Sequence, residues 1–309
     1  MYGPFLNALV CLIASALAGL GTGFVGMSAA VAITPMLMGF LGIDHFVATA
    51  IALASDVLAS AIAAFTYGKH KNIDIKNGLI LMVTVMVFTI GGTITGYYVP
   101  NTTMNIGTII TVSVISLKLI FFPSKGLMKD RTLTKTKKAI ISILAGALIG
   151  FVCGFVGAGG GMMLLLVLTV FLGYDMHKAV GTSVFVMTFS ALVGSSFHII
   201  YDGFLTPTPK FNFDGTTYYL LALCSIFTLI FSLLASKLAN RLKPNALSIV
   251  SGIMLLCLII TVTIVQNTDV ITRYVNFGLI GLNLDIILVF SVIFLDKTRR
   301  GKNKNEKEK

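Results

Sequence analysis

No charged side chain occurs before Asp44. An uncharged apolar stretch of that length is too long for one ordinary membrane span and too poor in polar groups for a water-facing surface. It is broken once, by "GLGTGFVG" at Gly19–Gly26. That leaves two arms, 5–20 and 28–41. A second block of the same kind follows later. Its arms, 139–153 and 162–174, flank "GFVGAGGGM" at Gly154–Met162. Unbroken apolar spans are expected at 46–67, 78–98, 104–122, 177–201, 217–239, 245–266 and 274–295.

Composition points the same way. The chain is 56% hydrophobic and 11% charged, where a soluble domain carries roughly a quarter charged residues. The sequence therefore describes an all-α polytopic membrane protein whose partner is the lipid bilayer. The net charge of +11 does not point to nucleic acid. Basic residues gather at Lys125–Lys138 and in the tail Lys297–Lys309, beside apolar segments, which is the positive-inside pattern. The four cysteines (Cys11, Cys153, Cys224 and Cys257) lie in apolar segments without paired spacing. They read as small buried hydrophobes. The N-terminus lacks a basic region and reads as the first membrane segment, not a cleaved leader.

The chain repeats itself. Adding 131 to each number carries Gly23–Gly26 onto Gly154–Gly157, both "GFVG", and "FLGID" at Phe40–Asp44 onto "FLGYD" at Phe171–Asp175. Ala48 lands on Ala179. Beyond a longer loop, "NID" at Asn72–Asp74 matches "NFD" at Asn212–Asp214. Self-similarity of this kind is the sequence trace of many transporter folds.

Charge sets the orientation. Lys69, Lys71 and Lys76 place loop 68–77 inside, and the basic loop 123–138, the turn 240–245 and the tail are inside as well. The uncharged loop 99–103 and the loop 202–216, with one Lys against two Asp, are outside. Equivalent loops of the two halves thus face opposite sides, so the repeats are inverted. This requires each broken block to begin and end on one side of the membrane. A re-entrant hairpin does so, and two short crossings have the same parity. Length favours the hairpin. The second arms, about 13 residues each, reach only ~20 Å against a ~30 Å hydrocarbon core.

In this reading the glycine clusters turn the chain at depth, where glycine permits the backbone conformation and the close approach. Irregular backbone there must be packed in protein or line a cavity. The second arms begin near Ser28–Ala30 and Gly160–Met162. Their unpaired N–H groups would make a positive-ended pocket suited to an anion.

At these residues the chain resembles the sulfite exporter TauE/SafE family of membrane proteins. The likeness rests on the paired "GFVG" turns, the "LGxD" boundaries and "AVGTSV" at Ala179–Val184, and runs to about residue 266. The second half matches more fully, through Gly157, Gly159, Gly160 and Gly161. The first half has "GMSAA" and "ATAIAL" where more glycine and a Thr-Ser pair are usual, while Pro35 fits. The resemblance implies transport of small sulfur-containing anions such as sulfite or sulfonates.

The substrate-lining candidates are Thr22, Gly23, Gly26, Ser28, Gly157, Gly159, Gly160, Gly161, Thr182 and Ser183. Helix packing is the competing role for the glycines, and it suffices for Gly146 and Gly150. Interhelical hydrogen bonding is the competing role for the hydroxyls. Asp56, mid-span, is the candidate for a coupling proton, with pairing to Lys118 or a buried hydroxyl as the alternative. Its counterpart in the second half is Met187. Asp285 reads as structural or as an oligomer contact, and His198 as a boundary residue. Asp44 and Asp175 read as helix N-caps.

The chain thus divides into a first repeat (1–122), a basic cytoplasmic loop (123–138), a second repeat (139–266), an extra C-terminal span (267–296) and a basic cytoplasmic tail (297–309). The expected activity is secondary transport of small anions by alternating access in the cell membrane. The C-terminus is cytoplasmic and the N-terminus extracytoplasmic. A passive anion channel and a non-transport auxiliary protein are the alternatives. No cofactor or metal is expected. "GAGGGM" lacks the Lys-Ser/Thr of a phosphate-binding loop, and Ser28 has no convincing catalytic partner, so an enzyme is not expected. A homo-oligomer remains open.

Overall fold

The computed structural model describes residues 4–98, 135–156, 160–200, 215–243, 246–247, 249–251, 253–254 and 257. All its regular elements are helices. In chain order they are α1 (Pro4–Val25), α2 (Ala30–Leu41), α3 (His45–Lys69), α4 (Ile75–Tyr97), α5 (Lys135–Val156), α6 (Gly160–Leu166), α7 (Met176–Ile200) and α8 (Gly215–Ala239). A wider π-helical turn, Val167–Phe171, extends α6. Six of these helices are long and apolar enough to cross a membrane. The expected spans 104–122 and 274–295, the loops 99–103 and 202–214, most of the basic loop and of the span 245–266, the tail, Lys118 and Asp285 lie outside the described residues.

The helices face lipid along narrow stripes. Leu79, Val83 and Val87 on α4 and Ile140, Leu144 and Leu148 on α5 recur every fourth residue and are exposed. Such a stripe suits hydrocarbon and would be a liability in water.

The first break is shorter than the glycine spacing predicts. Gly19, Gly21 and Gly23 are helical, and α1 runs on to Val25. Only Gly26 adopts a left-handed backbone, with φ +69°. There the Gly26 N–H bonds the Thr22 carbonyl at 3.0 Å and the Met27 N–H the Gly21 carbonyl at 3.4 Å, a Schellman-type stop. The upstream glycines serve packing instead. A Cβ on Gly19 would crowd Thr228, Phe231 and Ser232 of α8, and one on Gly23 would crowd Ala235, Ser236 and Ser232. Their counterparts at +131, Gly150 and Gly154, sit in the same way against Val85, Phe88, Thr89 and Thr93 of α4. Among the described helices, each half's first helix therefore lies along the second unbroken span of the other half.

The "FLGxD" motifs are also explained locally. Gly42 and Gly173 end their helices with φ +67° and +68°. The following aspartates cap the next helices: Asp44 Oδ1 accepts from the Phe46 N–H at 2.9 Å and Asp175 Oδ1 from the Lys178 N–H at 3.1 Å.

Contacts along the helices give their directions. From Gly146 to Gly154, α5 advances beside Leu81 to Thr93 of α4, so the two are parallel. After α6 the chain is back at the start of α4, where the Tyr174 hydroxyl donates to Asp74 Oδ2 at 2.5 Å. Likewise α1 runs parallel to α8, from Thr228 towards Ser236. After α2 the chain reaches the far ends of α4 and α7, where Phe46 meets Tyr97 and His198, with ring centroids 5.3 and 4.5 Å apart.

Candidate functional site

The first break meets the start of α6 in the interior. A Cβ on Gly161 would overlap the Gly26 carbonyl oxygen, and one on Gly26 would strike Ser183 Oγ of α7. Only residues without side chains allow backbones this close. Thr22, Ser28 and Ser183 are all buried around this contact. The Thr22 hydroxyl lies 3.0 Å from each of the Ala18 and Met27 carbonyls, bridging α1 to the break. Ser28 Oγ accepts weakly from the Ala30 N–H at 3.3 Å. Ala29, at the N-cap of α2, has no side chain to offer. The Val31, Ala32 and Ile33 N–H groups bond the Ser28 and Ala29 carbonyls, and the Ala29 N–H at the head of the turn acts on Asp56.

Asp56 is fully buried on α3. The polar groups acting on its carboxyl are the Ser28 hydroxyl, the Ala29 N–H and the Thr22 hydroxyl. None approaches at hydrogen-bonding geometry, and both carboxyl oxygens lack a partner among the described residues. Most of the other buried hydroxyls are spent on structure: Ser183 donates to the Val180 carbonyl at 2.8 Å, while those of Ser15, Thr93 and Ser142 have no partner among the described residues. Ser55 Oγ lies 3.3 Å from Ser225 Oγ, and Ser232 donates to the Ala59 carbonyl at 2.7 Å.

Not every sequence candidate is here. Thr182 Oγ1 accepts from the Asp74 N–H at 3.0 Å and so holds the loop before α4, away from the break. Gly23 backs onto α8, and its carbonyl accepts from the Tyr67 hydroxyl at 2.9 Å. Gly160 and Gly161 open α6. Gly157 and Gly159 lie outside the described residues.

Two groups join the site that the residue types alone did not reveal. A Cβ on Gly160 would stand 2.7 Å from Cys153 Sγ, and Cys153 is within electrostatic reach of Asp56. Met187 Sδ would be 2.7 Å from a Cβ on Gly161. The 131-residue shift held the signal for the first, since it carries Thr22 onto Cys153.

Near the ends of α3 and α6 a second polar cluster ties the halves together. Asp74 accepts from Tyr174 and, at 2.9 Å, from Asn77 Nδ2, and Lys178 Nζ lies 3.9 Å away. Asn72 Nδ2 donates to Asn240 Oδ1 at 3.0 Å. Partial burial of Asp74 opposes its ionisation. The bonds from Tyr174 and Asn77 and the Lys178 charge outweigh that and hold its carboxyl below the usual range. Burial and the neighbouring carboxylate push the Tyr174 hydroxyl upward.

Six spanning-length helices, two broken apolar blocks and a buried polar centre where the first break touches the start of α6 define a multi-pass membrane protein of transporter type. The chain belongs to the sulfite exporter TauE/SafE family, whose model matches residues 11–262. It is similar to "Probable membrane transporter protein YunE" of Bacillus subtilis, 24% identical over 223 residues, covering 63% of this chain and 79% of that one. It is also similar to a "Probable membrane transporter protein" of Haemophilus influenzae, 26% identical over 191 residues, covering 59% and 69%. No solved structure matches the chain.

Proposed function

We propose that this protein is a secondary transporter of small anions, sulfur-containing ones such as sulfite or organosulfonates, working by alternating access. The observation that carries this reading is the approach of the first break to the start of α6, Gly26 against Gly161, beside the buried Asp56 carboxyl and the Ala29 N–H that acts on it. A helix N-terminus in a low-dielectric interior, with hydroxyls that can turn from backbone carbonyls to a ligand, is what an anion needs to leave water.

The packing of the described helices is what two inverted repeats with re-entrant hairpins would give; the third span of each repeat and the extra C-terminal span rest on apolar length in the sequence alone. Each broken block returns towards the end from which it came: α5 rises along α4, and Tyr174 returns to Asp74. The basic loops then place Asp74, Tyr174 and Asn240 on the cytoplasmic side, with the C-terminus, and the N-terminus on the other. Rocking of one repeat against the other would expose the central contact to each side in turn. Asp56, the ionisable carboxyl at the centre, is the group to carry a coupling proton.

A thermal-shift screen of the purified protein against sulfite, sulfate, thiosulfate, sulfoacetate, taurine and acetate tests the reading. A ligand that binds only the folded state raises the melting temperature by mass action. A selective rise with one sulfur compound, lost in Gly160→Leu, is expected. No rise with any of them counts against it. Flux into proteoliposomes that ignores an imposed pH gradient would instead mark a passive channel.

A further inference from the structure

We infer that the Asp56 carboxylate and the transported anion are alternative occupants of the start of α2, so that an anion binds there only while Asp56 holds a proton. This rests on the reading of the chain as an anion transporter. Asp56 is buried and unpartnered, and it is aimed at the groups an anion would use: the Ser28 and Thr22 hydroxyls and the Ala29 N–H. Ionised, it is itself the anion at that helix terminus. A second negative charge in the same dry space is strongly disfavoured. Protonated, it gives up its charge beside the Ala29 N–H and offers a donor of its own.

Among the described residues no cation relieves the conflict, and the titratable group that interacts with Asp56 is the Cys153 thiol of α5. From α1 comes the Thr22 hydroxyl, and from the break before α2 the Ser28 hydroxyl and the Ala29 N–H. α7 carries His177, Lys178 and His198, and α8 carries Cys224 and Lys237. None of these contributes to the field at Asp56.

The other half supplies the comparison. The 131-residue shift carries Asp56 onto Met187 and Ala30 onto Gly161. Met187 Sδ stands beside Gly161, as Asp56 stands beside the start of α2. The same place beside the break is thus filled by a carboxyl in one half and a neutral thioether in the other. Packing there is met without charge, which leaves the carboxyl free for a different task. Anion and proton would then move together, one for one.

The test is calorimetric binding of methanesulfonate, which stays ionised at every working pH, to full-length protein in detergent between pH 5 and 8. Two buffers of different ionisation enthalpy report the protons taken up. Wild type should take up close to one proton per anion where Asp56 is ionised. Its affinity should there fall about tenfold per pH unit. Asp56→Asn should bind with no proton uptake and a flat pH profile. Asp56→Met, which copies the other half, serves if the amide fails to fold. Equal proton uptake by wild type and variant, or none by wild type with binding intact, overturns the competition alone. No binding by any of the proteins overturns the anion site itself, and the competition with it.

Discussion

The Gly26 carbonyl oxygen lies against the Cα of Gly161, so close that a methyl group on Gly161 would take the oxygen's place. The first residue after α1 and the second residue of α6 are thereby locked in register across the centre of the molecule. Any motion that opens the site must change this contact.

Gly161→Ala should therefore cost about 1–3 kcal/mol through forced backbone displacement and remove most transport. Gly91→Ala is the control, because nothing lies within 4 Å of a Cβ there. It should leave melting temperature and flux near wild type. Melting curves and proteoliposome flux on the same preparations check both.

Gly23→Ala and Gly154→Ala occupy matching positions on α1 and α5, against α8 and α4 respectively. Each should lower stability by about 1–3 kcal/mol. The protein that still folds should keep its anion preference, because these residues separate helices and do not face the α2 terminus. A lowered melting temperature with an unchanged ranking of anions is the expected pair of results.

The adjacent hydroxyls Thr182 and Ser183 should separate cleanly. Thr182→Val removes the acceptor for the Asp74 N–H and should cost stability of about 1 kcal/mol with anion affinity intact. Ser183, beside Gly26, donates to the Val180 carbonyl at 2.8 Å and can turn to an anion instead, so Ser183→Ala should weaken anion binding roughly three- to tenfold, with little loss of stability. Titration of each variant by thermal shift distinguishes the two.

Asp74→Asn should loosen the tie to Tyr174 and Lys178 by about 1 kcal/mol, a modest figure because the carboxylate is partly exposed and screened. The folded protein holds this carboxyl below its ordinary value. Its contribution is therefore fully present above the usual carboxylate range and disappears as pH falls through the lowered value. The melting-temperature gap between wild type and variant should be constant from pH 5 to 8 and close in stronger acid.

Much of this architecture was legible in the sequence, because membrane burial leaves few ways to write a helix. The positions of α3, α4, α7 and α8 follow from apolar length alone. The limits of the first break did not. Gly19 and Gly23 look like turn residues in one dimension, yet they are helical and let α8 approach. Spacing cannot separate a glycine needed for its φ from one needed for its missing Cβ. The same gap hid Cys153 and Met187, whose importance lies in neighbours from other helices. Thr182 and Ser183 were inseparable for the same reason: successive residues on a helix point about 100° apart, and only the packing says towards what.

The exchanged packing of α1 with α8 and of α5 with α4 has a consequence for how the chain is made. Among the described residues, the face of α1 that carries Gly19 and Gly23 finds its partner on α8. At roughly 5–20 residues per second, the ~200 residues from the end of α2 to the end of α8 take about 10–40 s to synthesise. Through that interval the first broken block waits in the bilayer or the insertion machinery with its unwound segment and small-residue face uncovered. Assembly is therefore a single late event that closes both halves together, and a nascent chain arrested before α8 should be a substrate for membrane quality control.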